Sequence, residues 1–112
     1  MNAEERAKYL NRPECGKGWN GIIRFTDLLL ASIDPDYTIE QIKEKFGGLR
    51  YYASNTLQDQ EASDRFWSII RTAERLSYRI CEICGDNGEL RKEGWYQTLC
   101  DKCYADKCGE KL

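Results

Sequence analysis

Apolar residues recur at helical spacing in several stretches of the chain, and polar or turn-forming residues mark where each stretch ends. Residues 2–11 place Ala3, Ala7 and Leu10 on one side of a short first helix, closed by Pro13. Cys15-Gly16-Lys17-Gly18 is a loop. From Trp19, at ~100° per residue, Ile22, Ile23, Thr26, Leu29, Leu30 and Ile33 share a face. Leu28 points the opposite way and Phe25 lies to the side, so this helix is apolar around most of its circumference, as in a helix packed on two sides. Asp34-Pro35-Asp36 ends it. A third, long helix is predicted from about Asp59 to Ile80, with Ala62, Phe66, Ile69, Ala73, Leu76 and Ile80 along one line.

The segment Thr38–Ala53 admits two readings. Thr38 and Gln41 fit a capping box, which would set Ile39, Ile42 and Phe46 along a short helix. Alternatively, Gly47-Gly48 is the two-residue turn of a β-hairpin, with Phe46 opposite Leu49, Glu44 opposite Tyr51 and Ile42 opposite Ala53. The aromatic-rich run Leu49–Ala53 is extended either way, and the hairpin is the preferred reading. The fold class is therefore α+β. Two or three helices pack on a small hairpin within residues 1–80, and residues 81–112 form a smaller module packed against them.

That module carries the clearest chemistry. Cys81-Glu-Ile-Cys84-Gly and Cys100-Asp-Lys-Cys103 are two CxxC pairs separated by turn and strand signals. Two intervening residues let a tight turn aim both sulfurs at one ion, and zinc takes four such ligands tetrahedrally. The expected cofactor is one structural Zn²⁺ in a zinc-ribbon or treble-clef module, with Cys15 and Cys108 as rival ligands. The chain has no histidine, so a zinc site must rely on thiolates and no imidazole is present for catalysis. Four thiolates saturate the metal and leave no position for water or substrate, which points to a staple. An enzyme is not expected.

Charge narrows the picture further. Residues 1–80 balance 12 acidic against 12 basic side chains, and residues 81–112 carry 7 against 5. A Zn–thiolate unit would take the C-terminal module to about −4, which repels a polyanion. No apolar run approaches the ~18 residues of a membrane helix, and the charged start is unlike a signal peptide, so no membrane contact and a cytoplasmic location are expected.

Two surfaces are candidates for recognition. On the long helix, Trp67, Arg71, Arg75 and Tyr78 are residue types that dominate protein–protein hot spots, unless the two aromatics are ordinary core. On the hairpin, Lys43, Lys45, Arg50 and Tyr52 share the face away from the core. There they suit phosphate and base contacts, or simply solvate a sheet and protect its edge. Binding of a protein partner is the favoured function, with nucleic-acid or nucleotide binding as the alternative.

Three segments together carry a resemblance: Cys15-Gly16-x-Gly18-Trp19, the run from Gln41 to Tyr52 containing KEKFGGLRYY, and the two CxxC pairs. From about Cys15 to Cys103 the chain resembles a family of small bacteriophage and prophage proteins, the central run being the most specific part. The resemblance implies a bacterial host cytoplasm. It also implies a phage accessory or anti-defence role, exercised by occupying the surface of a host or phage protein.

Overall fold

Asn2 starts the first helix through its side chain. Its Oδ1 accepts from Glu5 N at 2.8 Å and Glu5 Oε1 accepts from Asn2 N at 3.0 Å, a reciprocal capping box. The computed structural model describes the backbone of residues 1–109 and side chains through Lys107, so the Cys108 thiol lies outside the described residues. After α1 (Ala3–Leu10) come a 3₁₀ turn (Lys17–Trp19) and α2 (Asn20–Ile33). The hairpin β1 (Thr38–Lys45) and β2 (Gly48–Ser54) follows, then α3 (Gln60–Ser77), opened by the Asp59 cap. A second hairpin, β3 (Glu89–Arg91) and β4 (Gln97–Leu99), leads into α4 (Asp101–Gly109). The fold is α+β, and its core gathers Trp19, Ile23 and Leu30 with Ile39, Leu49 and Phe66.

The hairpin forms in a different register from the one expected. Its loop is Phe46-Gly47, at φ 53° and 86°, so Ile42 pairs with Tyr51 and Glu44 with Leu49. Gly48 belongs to β2 because Tyr78 lies flat against it: a Cβ there would sit 2.3 Å from the Tyr78 ring. Moving the loop by one residue changes partners by two, so side chains keep their faces. Phe46 alone changes role, from core to a loop residue that is 68% exposed. A bulge at Glu40 lets both Ile39 and Ile42 turn inward despite their helical spacing.

Both edges of this two-stranded sheet are covered. Glu14 pairs with β1 through Glu14 N to Ile42 O and Glu44 N to Glu14 O, at 2.9 and 3.0 Å. On β2, Leu49 N donates to Ser77 Oγ at 2.9 Å and Tyr51 N to Glu74 Oε2 at 3.0 Å. These bonds turn α3 one position away from its expected stripe. Phe66, Ile70, Ala73 and Ser77 face inward, and Leu76 is 47% exposed.

Polar groups also cross the interior. Arg6 Nε lies 2.7 Å from Asp27 Oδ1, and both residues are buried. The Tyr37 hydroxyl donates to the same oxygen and lies 2.7 Å from the Tyr51 hydroxyl. Burial first, then Tyr51 and Asp27, push the Tyr37 hydroxyl far above the usual phenol range, so it stays a donor. This network ties α1, α2 and the first hairpin together.

Candidate metal centre and recognition surfaces

The two CxxC pairs are brought together by a knuckle, a hairpin and a helix. Gly85 takes φ 86° and closes the knuckle by donating its N–H to Cys81 O at 2.9 Å. The β3–β4 hairpin then returns the chain so that Cys100 precedes α4 and Cys103 lies in its first turn. This order is a treble clef. The four sulfurs all lie within 4.8 Å of one another, and those of Cys84 and Cys100 are 3.6 Å apart. Sulfurs held at ~2.3 Å around a tetrahedral ion are separated by roughly 3.8 Å, so the cluster fits a single metal.

Electrostatics agree with that fit. Burial opposes ionisation of Cys81, but N–H groups of Cys100, Cys84 and Ile83 converge on its sulfur and bring it down to about 6. Cys103 is pushed well above the usual thiol range, first by its contact with Cys100 and then by burial. Crowded thiols ionise together only when a cation shares them.

The glycine loop is the dock for this centre. A Cβ on Gly16 would lie 2.3 Å from Glu82 O, and one on Gly18 would lie 2.1 Å from Cys81 O. Gly18 N donates to Glu82 O at 2.7 Å, Gly16 N to Glu82 Oε2 at 2.9 Å, and the buried Trp19 indole to Ile80 O at 2.8 Å. Cys15 stands apart from the four-sulfur cluster. Burial, then Glu82 and Glu44, push its thiol up to about 12, which leaves it poorly nucleophilic. Gly18→Ala is expected to destabilise the chain by about 2–3 kcal/mol or more, because its contacts are backbone that cannot step aside. Gly21→Ala, in α2 with nothing within 4 Å of the new Cβ, is expected to stabilise by about 0.5–1 kcal/mol. Thermal denaturation of the two variants against the parent checks both; equal melting temperatures would contradict the docking role.

The nominated surface residues divide on inspection. Arg71 and Arg75 are exposed, Trp67 is 37% exposed with one edge against Phe66, and half-buried Tyr78 covers Gly48. On the hairpin, Lys43, Lys45 and Tyr52 lie on the outward face, and Arg50 is held by Leu49 O and the Tyr78 hydroxyl. Two further features lie outside the nominated sets. One is a groove between α2 and α3, where Phe25 and Leu29 are 61% and 37% exposed opposite Leu76. Its sequence signal was the apolar excess around α2. The other is a cleft lined by Phe46, Trp95 and Tyr96, with Lys45 and Glu44 at its side. No helix among the described residues is long and apolar enough to cross a membrane. Comparison with protein families, with curated proteins and with solved structures finds no match to the chain.

Proposed function

We propose that this chain is a non-enzymatic binding protein, stapled by one Zn²⁺ on Cys81, Cys84, Cys100 and Cys103. It acts by holding the acidic amphipathic helix of a protein partner in the α2–α3 groove. The four-thiolate donor set supports zinc and a structural role. The observation that carries the binding reading is the pairing of an apolar groove with unneutralised arginines. Phe25, Leu29 and Leu76 present apolar surface at the groove, which encloses about 190 Å³. Arg65 lies on α3 two turns before Thr72 at the outer lip, with Arg75 and Arg71 farther round. None of these three arginines forms an ion pair among the described residues. Exposed α2 contributes no carboxylate, since Asp27 is buried against Arg6.

A helix with apolar residues at i, i+3 or i+4, and i+7, flanked by Asp or Glu, complements this surface in shape and sign. The resemblance to phage proteins makes a host or phage protein the natural source of that helix, with an accessory or anti-defence role as the biological setting.

Selection from a displayed library of host and phage protein fragments tests the reading. The enriched segments are expected to be helical and acidic with that apolar spacing. Leu76→Glu is expected to weaken their binding at least ~30-fold, a hot-spot effect of about 2 kcal/mol. Arg65→Glu with Arg75→Glu is expected to slow association and flatten its salt dependence. Enrichment of basic or extended segments, or binding indifferent to Leu76→Glu, would count against the groove.

A further inference from the structure

Phe46 is an unusual residue for its place. A two-residue hairpin loop favours Asn, Asp or Gly where φ is positive, yet Phe46 stands at φ 53° with its ring 68% exposed. Directly across from it, on the β3–β4 loop, Trp95 is 76% exposed and Tyr96 41%. The three rings, Lys45 and Glu44 border an open cleft of about 500 Å³. Packing between the two hairpins fixes their spacing. Thr98 Oγ1 donates to Gly47 O at 2.7 Å, and a Cβ on Gly47 would lie 2.5 Å from the Leu90 side chain. The rings are therefore held apart and open.

The cleft is lined by one cation and one anion, Lys45 and Glu44, and the hydrogen bonds at its rim hold the carboxylates back toward the protein. Glu44 accepts from Gly47 N at 2.8 Å and Glu93 from the Tyr104 hydroxyl at 2.9 Å. Lys43, Lys45 and Lys92 form no ion pair among the described residues, and Lys45 Nζ stands 5.7 Å from the Phe46 ring centre. An ammonium beside an open ring matches a stacked base with its phosphate alongside.

We infer that this cleft binds unpaired bases of single-stranded nucleic acid, stacked on Phe46 and Trp95, with the strand's phosphates meeting Lys43, Lys45 and Lys92. The site is separate from the α2–α3 groove and does not rest on it. With a formal net charge of −2 on the chain, and about −4 once a Zn–thiolate unit forms, stacking carries the affinity and few phosphates contribute. Three phosphate contacts give a log–log salt slope of only about −2.

Fluorescence anisotropy of a labelled oligothymidylate of ~12 nucleotides, titrated with the metal-loaded chain, tests the inference. Binding is expected, and Trp95→Ala is expected to weaken it roughly 5- to 150-fold, the range for one lost base stack. Phe46→Gly should act likewise while keeping the loop conformation, and Lys45→Ala should flatten the salt slope by about 0.7. Leu76→Glu should leave oligonucleotide binding unchanged. Four results would overturn the inference: no binding, binding indifferent to Trp95→Ala and Phe46→Gly, equal affinity for the matching duplex, or equal affinity for thymidine monophosphate. Loss of the groove-selected protein segments on Trp95→Ala would also overturn it, by making the cleft part of a protein interface.

Discussion

Withdrawing the metal is expected to unfold the C-terminal module and to loosen the N-terminal part with it. The module's strands are three residues each, and among the described residues its fully buried side chains are few: Cys81, Thr98 and Leu99. So small an apolar interior does not meet the conformational entropy of ordering a module of this size. Structural Zn²⁺ contributes about 10–16 kcal/mol in comparably small modules at neutral pH, enough to decide whether this one folds. The effect spreads because Gly16, Gly18 and Trp19 are bonded to the backbone of residues 80–82, and Gly47 to Thr98.

Chelation, or Cys81→Ser, should therefore lower the melting temperature by more than ~10 °C, taking a loss of a few kcal/mol at about 4 °C each. Amide protection should vanish from about residue 80 onward, and the Trp19 indole should report exposure in a Trp67→Phe, Trp95→Phe background. Native mass spectrometry of the parent should show one zinc per chain. Unchanged amide protection in strong chelator would remove the metal from the stability of the fold.

The second large effect is expected from Asp27→Ala. It leaves the Arg6 guanidinium, 7% exposed, without its counter-charge and removes the acceptor for Tyr37. Breaking a buried pair from one side costs about 3–5 kcal/mol, a large share of the ~5–15 kcal/mol that stabilises a domain. Urea denaturation should show the midpoint falling with an unchanged slope. Replacing both partners with apolar residues, Arg6→Met with Asp27→Leu, should recover most of the loss, because no orphaned charge remains. A loss below ~1 kcal/mol in Asp27→Ala would mean that water already reaches the pair.

Periodicity and spacing carried much of this fold, and the departures share a cause. The α1 and α2 boundaries, the first hairpin and the clustering of Cys81, Cys84, Cys100 and Cys103 depend on local chemistry, so they could be read along the chain. The bulge at Glu40 could not, because it makes Ile39 and Ile42 mimic a helix. The register depended on Tyr78 needing room at Gly48, and the rotation of α3 on Ser77 and Glu74 completing the edge of β2. The register and the rotation are each set by a partner 20 or more residues away, and the bulge by a partner strand across the hairpin. The glycines beside Cys15 are the strongest case. They read simply as a loop, whereas they are the only residues that fit against the backbone at Cys81 and Glu82. The exposed Trp95 and Phe46 were visible as letters, but their meeting depended on how the two hairpins pack.

The docking of the glycine loop against the knuckle has a consequence for synthesis. Trp19 leaves the ribosome long before Ile80, whose carbonyl receives its indole, and before Cys103, the last of the four clustered thiols. At 5–20 residues per second, about 80 further residues take roughly 4–16 s. Throughout that interval the nascent chain holds its largest core side chain without the surface that covers it. The chain therefore completes its fold late, and completion waits on the supply of metal as well as on translation.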